Sequence, residues 1–436
     1  MQALLIKNVD LNGRHSDVRC RLGEVSDIAD HLEPGPEELV LDAQQGALIP
    51  SLRDDHLHLL AMAARKRSVT CGPPEIAQAH QLKNVLLTAD GTGWIRGVGY
   101  HESVAGDLTA TQIDRWIDDR PVRIQHRSGR VWYFNSLGAS ELGLPPDKQG
   151  QLYRRDEMIF KQLSPVDDLS LELGEVAREL ASFGVTHVTD ATPSNDSATF
   201  EFLCESCPVL RVRAMGGSEL NEGQLKIILD DYRLPEFREL CDQIAGAHRV
   251  HRGVAIHCVS KVEVVFAVAA LTEVGSIDDD RLEHATELTP DVMNSVEKLR
   301  LKLVPNPNFL YDRGDQYIVD NERIVLESLY PIRSILSRGI CCTIGTDAPF
   351  GDANPWRAMK AATDRRTRNG STIGLQEAIL PEEALRLFTR GHKIEVGANA
   401  NLACLDRPWS EARDRLNADD VVATILEGRV TYLLRN

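Results

Sequence analysis

Short apolar runs of strand length alternate with longer stretches of helical period through most of the chain. That alternation limits the fold more than any other property of the 436 residues. Candidate strands lie at 121–125, 185–189, 210–214, 226–229, 254–257, 281–284, 302–304 and 342–345. Stretches 169–183, 262–274 and 290–298 repeat their apolar residues with helical spacing. Pro290 and Pro381 stand behind Thr289 and Leu380, where a first-turn proline starts a helix. Strand–helix alternation implies βαβ units and a parallel sheet. A span of roughly 340 residues suits a decorated (β/α)8 TIM-type barrel, for which about 250 is typical. Both ends read differently: Asn12-Gly13 is a hairpin turn, and 402–406, 421–425 and 430–434 are short apolar pieces. The expected fold is therefore α/β. Residues 51–394 form the barrel, and residues 1–50 and 395–436 together form a small β-sandwich domain.

Composition narrows the function classes. A net charge of −16 argues against a phosphate backbone or an anionic bilayer as partner. The first residues show no basic region followed by a long apolar one, and no run of 18 apolar residues occurs. Nine cysteines without a framework spacing suggest reduced thiols and a cytoplasmic protein. Cys204 and Cys207 have the spacing of a C-x-x-C pair but no partner motif, and Cys258, Cys341 and Cys342 fall in apolar runs as expected core thiols.

Polar residues that could carry chemistry sit at the ends of the candidate strands. His56-Leu57-His58 follows the apolar run Leu48-Ile49-Pro50, which reads as the end of a first barrel strand. Side chains alternate on a strand, so the two imidazoles leave one face roughly 6–7 Å apart. His257 and His284 end two later runs, Asp347 follows 343–346, and Lys226 lies inside the run 225–229. Singly, each has an ordinary reading: a hydrogen-bonded histidine, a turn aspartate, a snorkelling lysine. Jointly, barrel strand ends converge on one mouth. Four histidines and a carboxylate suit Zn²⁺, with Mn, Fe, Co or Ni also compatible.

Further segments carry a resemblance. They are Gly93-Trp94-Ile95-Arg96-Gly97, the stretch from Pro121 to Leu142, Gly184-Val185-Thr186 through Asp190, and Val304-Pro305-Asn306-Pro307. With the His-x-His they make nearly the whole chain resemble the amidohydrolase superfamily, in its amidohydrolase 3 branch of YtcJ-like and N-substituted formamide deformylase-like proteins. By that resemblance His56 and His58 bind the more buried metal, and His257 and His284 bind a second. Lys226 is the position that can be carboxylated by CO₂ and bridge the two, and Asp347 contacts the buried metal and a hydrolytic water. An unmodified ammonium would be repelled by two cations about 3.5–4 Å apart, whereas a carbamate offers them a bridging anion. Three departures stand out: Asp54-Asp55 where the family has Asp-Ser or Asp-Thr, Gly129-Arg130 where many members have Gly-His, and Val259-Ser260 after His257 in place of Gly-Asp.

The resemblance implies metal-assisted hydrolysis of a non-peptide, amide-type C–N bond in a small molecule. Asp347 would move the proton from water to the leaving amine. Asp190 would orient a metal ligand from behind or cap a helix, and Arg130, His101 and Tyr311 are candidate substrate contacts. Esters and lactones use the same machinery, and so does a mononuclear centre with Lys226 unmodified. A deaminase needs His-x-x-Glu, but position 260 is Ser. A metal-free interaction module is the reading from another class, and it usually lacks ligands that this chain keeps. No nucleic-acid or membrane partner is expected, and a homodimer is expected only by analogy with other barrels.

Overall fold

The structure is a computed structural model that describes residues 3–91, 93–129, 131–144, 149–153 and 169–434. It divides into two compact units, Met1–Leu59 with Gly174–Asn436, and Leu60–Leu173. The boundaries expected near 50 and 394 both fall inside the first unit. Among the described residues, no helix is long and apolar enough to cross a membrane.

In the first unit seven strands are all parallel to their ladder partners: β1 (Leu52–Leu57), β2 (Val185–Asp190), β3 (Arg211–Ala214), β4 (Leu225–Ile228), β5 (Val254–Cys258), β6 (Arg281–His284) and β7 (Lys302–Val304). One sheet runs β3-β2-β1 and another β4-β5-β6-β7. A parallel bridge joins Gly216 to Leu225, and another joins Leu303 to Cys342. Residues 342–347 then meet β1, where Asp55 N donates to Ile344 O at 3.2 Å and Asp347 N to His56 O at 2.7 Å. Helices bury the outward faces. Phe237–Arg249, Lys261–Val274 and Pro290–Lys298 pack Leu240, Ile244, Val264, Ala267, Leu271 and Val296 against Ile227, Ile256, Leu282 and Leu303. The helix Lys261–Val274 starts with a Ser260/Glu263 capping box, and Pro290 and Pro381 occupy first-turn positions as their sequence context predicts.

The chain ends make two further four-stranded sheets. One is Glu24–Ala29, Arg14–Arg21, Leu4–Leu11 and Leu39–Asp42; the other is Arg429–Leu433, Val421–Leu426, Leu402–Leu405 and Leu48–Pro50. Asn12 and Gly13 both have positive φ, 55° and 82°, as the hairpin turn requires. Leu4, Ile6, Val18, Leu402, Cys404 and Ile425 from the two sheets share one core.

Three expectations are corrected. Leu48–Pro50 is not the first barrel strand: it pairs antiparallel with Leu402–Leu405, and the polar run Leu52–Leu57 is the strand that carries His56. The run at 121–125 belongs to the second unit, where Val122–His126 lies in a five-stranded sheet with Ile95–Tyr100 and Val131–Phe134. Cys258 is buried, but Cys341 is exposed rather than a core thiol.

Candidate metal centre

The six residues singled out on the candidate strands are brought together in the first unit. His56 ends its run buried on β1, and His58 follows it with the two ring centroids 5.5 Å apart. His56 Nε2 and His58 Nε2 stand 3.5 and 3.2 Å from Asp347 Oδ1. Donor atoms of these three residues lie within 4.8 Å of one another, a spacing that can hold a metal ion. The His284 ring lies 4.7 Å from that of His56 and 4.5 Å from that of His257, which continues the cluster across β5 and β6. Lys226 points into the same space from β4. Its Nζ is buried without a hydrogen-bond partner, and its charge acts on His56, His257, Glu283 and Asp347.

Electrostatics keeps these groups in metal-binding form. Burial, reinforced by the Lys226 ammonium, pulls His56 down to about 3, and burial with the neighbouring His284 holds His257 well below the usual histidine range. The imidazoles are therefore neutral, as ligands must be. Burial raises the Asp347 carboxyl, but its contacts with His58, His284 and His56 outweigh that and hold it well below the usual carboxylate range. Burial lowers Lys226, opposed in part by Glu283. His284 and Asp347 hold positive φ, 65° and 57°, uncommon for residues other than glycine and concentrated where strain is used to aim side chains.

The sequence matches the amidohydrolase family over residues 39–432. The chain belongs to that family. Curated relatives include the N-substituted formamide deformylase of Arthrobacter pascens, 24% identical, with 91% of this chain and 90% of the relative covered. The putative amidohydrolase YtcJ of Bacillus subtilis (strain 168) is 20% identical, with 92% and 91% covered. Among solved structures, an uncharacterized metal-dependent hydrolase from Pyrococcus horikoshii OT3 superposes with a TM-score of 0.75 at 19% identity, over 93% of this chain and 98% of that one. The protein is an amidohydrolase, a hydrolase acting on carbon–nitrogen bonds.

In this amidohydrolase the ring orientations come from residues that sequence reasoning did not select. Glu283 accepts from His56 Nδ1 and from the Arg281 guanidinium, whose Nη2 lies 2.8 Å from Glu283 Oε2. Burial raises the Glu283 carboxyl, but Arg281, Lys226 and His56 hold it well below the carboxylate range. An ionised carboxylate only accepts, so His56 carries its proton on Nδ1 and offers the Nε2 lone pair inward. Asn306 does the same for His284: its Oδ1 accepts from Nδ1 at 2.7 Å while its Nδ2 donates to Gly345 O at 2.8 Å. Thr192 Oγ1 lies 2.9 Å from His58 Nδ1. Alternation along Arg281-Leu282-Glu283-His284 was the available signal for Glu283, since two opposite charges two residues apart on a buried strand face must pair. Asn306 lay within a recognised motif without a role.

The remaining expected residues are distributed as follows. Asp190 is a brace: Oδ2 accepts from Leu59 N at 2.6 Å, and Oδ1 from Thr192 N at 3.0 Å and Asn195 Nδ2 at 2.8 Å. Tyr311 lies on the helix Asn308–Asp312, its ring under Arg368 at 5.4 Å. His101 belongs to the second unit, where it and His126 flank Glu102. Arg130 lies outside the described residues. Asp55, one of the departures from the family pattern, has its own counterpart: Arg390 Nε donates to it at 2.9 Å. Glu263 is taken up by backbone N–H groups of Asp231, Val259 and Ser260, which leaves the His257 strand without a deaminase-type glutamate.

Proposed function

We propose that this amidohydrolase is a metal-dependent hydrolase of amide-type, non-peptide C–N bonds in small molecules, working at a binuclear centre. The observation that carries the reading is Lys226 Nζ, buried and unpartnered beside three neutral imidazoles. An ammonium there is poorly solvated and ill-matched to divalent cations, while a carbamate formed on it with CO₂ supplies an anionic oxygen pair. His56, His58 and Asp347 would hold one ion, His257 and His284 the other, with carboxylated Lys226 between them. Zn²⁺ fits the nitrogen and oxygen donor set, as do other first-row ions.

A divalent cation held there would supply a water of pKa lowered towards about 7 and polarisation of the substrate carbonyl. The protein's own part is proton movement and orientation. The Asp347 carboxylate accepts the proton of the attacking water and returns it to the departing nitrogen. Glu283, Asn306 and Thr192 fix which imidazole nitrogen faces inward. Formamide-type substrates are favoured by the name of the Arthrobacter relative, and Arg130, His101 and Tyr311 remain proposed substrate contacts.

The same proposal covers the scaffold. Eight segments hydrogen-bonded in succession, from β1 through β7 to 342–345 and back to β1, support a closed (β/α)8 barrel within residues 51–394. The shared core of the terminal sheets supports a small β-sandwich made from 1–50 and 395–436. Nine free cysteines favour a cytoplasmic setting.

The test is a hydrolysis screen over N-formyl, N-acyl, cyclic amide and ester compounds, run on metal-loaded and chelated enzyme. Turnover of a C–N substrate that chelation abolishes and metal restores is expected. Turnover indifferent to chelation would overturn the reading, and so would a loaded enzyme inert across the panel.

A further inference from the structure

Two stretches marked in the sequence, 93–97 and 121–142, take no part in the metal centre. In the unit Leu60–Leu173 they place two arginines side by side. Strand Ile95–Tyr100 is parallel to Val122–His126, with Arg96 directly opposite Arg123. Both side chains therefore leave one face of the ladder, from backbones about 4.8 Å apart. On the other face Ile95, Val122 and Ile124 enter an apolar core. Arg96 lies 5.9 Å from the Trp132 ring centroid; Arg123 lies 5.7 Å from that of Trp94 and 5.8 Å from that of Trp132. Both Nε atoms are buried with no hydrogen-bond partner, and among the described residues no carboxylate forms an ion pair with either guanidinium. Burial, with Arg123 adding repulsion, brings Arg96 down to about 9, and burial brings Arg123 to about 10.

A fold gains nothing from two half-buried like charges without an acid between them. Cation–π contact with the indoles offsets part of the cost but leaves the two buried Nε–H groups without acceptors. What satisfies both is a group with several anionic oxygens, to which the planar guanidinium fork donates in pairs. We propose that Arg96 and Arg123, flanked by Trp94 and Trp132, form a binding site for a small oxyanion, a carboxylate or a phosphate. This site is independent of the metal-centre reading. A carboxylate would come from an organic ligand, whereas phosphate can bind as the free ion.

Full-length, metal-loaded protein titrated with inorganic phosphate and separately with benzoate, at constant ionic strength in chloride, tests this by tryptophan fluorescence and melting temperature. At least one anion is expected to give a saturable fluorescence change and a raised melting temperature below about 10 mM. Arg96→Gln and Arg123→Gln should each weaken that binding about tenfold or more. Without anion, both variants should melt at or above the wild-type temperature, because the like-charge repulsion is relieved. Should either fail to fold, Arg96→Lys keeps the charge, loses the fork and should still bind more weakly. A response to phosphate alone assigns the free ion, and one to benzoate alone assigns an organic carboxylate. No saturable response to either anion overturns the proposal, as do unchanged affinities in the variants. So does a lower anion-free melting temperature in variants of an unresponsive protein, the result expected of a purely structural stack.

Discussion

Glu283 decides which nitrogen of His56 faces the centre, because a buried carboxylate accepts and cannot donate. Replacing it by Gln removes the charge that fixes this tautomer and leaves Arg281 without its partner. Glu283→Gln is expected to weaken metal affinity about 10–100-fold, measured by competition with a chromophoric chelator; an unchanged affinity would show that the carboxylate orients nothing. Asp347 carries a different burden in the proposed function, since it approaches His56 and His58 and would also move a proton. Asp347→Asn should lower kcat about 10²–10⁴-fold with far less change in KM, and metal content should be retained at the other ligands. Most of this site was legible in the sequence: six polar residues on the candidate strands, read with the family resemblance, named the cluster. Glu283, Asn306 and Thr192 were not, because each meets its imidazole across a gap of 227, 22 or 134 residues that no local pattern records.

At the scale of elements, one tight approach in the centre is backbone on backbone. Gly345 follows residues 342–344 alongside β1, and a Cβ built there would lie 2.5 Å from His56 N and 2.4 Å from His56 Cβ. No side-chain rotation relieves a backbone clash, so the strands would have to separate. Gly345→Ala is expected to lose about 1–3 kcal/mol of stability in denaturant unfolding and to displace His56; a variant with wild-type stability and metal content would contradict this. The strands were legible where apolar runs are continuous, as at 254–257 and 302–304. Leu52–Leu57 was missed because Asp54 and Asp55 break its apolar pattern and are satisfied instead by Thr346 and Arg390. The run at 121–125 was read correctly as a strand and placed in the wrong sheet, since alternation gives a strand's faces but not its neighbours.

For the whole molecule, buried neutral histidines tie stability to pH. Burial with Arg53 and Arg211 nearby pulls His187 on β2 from 6.5 to about 3. Between those values the unfolded chain binds a proton that the folded chain does not. Stability is therefore complete above about pH 6.5 and falls as pH drops towards 3, by up to about 1.4 kcal/mol per pH unit for such a group. His187→Gln should flatten that limb in urea midpoints taken across the range; an unaltered slope would place the acid sensitivity elsewhere. The proposed activity requires divalent ions held where β1, β4, β5, β6 and the 342–347 segment meet. Elemental analysis of purified, metal-reconstituted protein beside its His56→Ala variant tests this most directly. One to two first-row ions per chain are expected, with at least one lost in the variant; a wild-type chain that holds none, or a variant that holds as many, would contradict it.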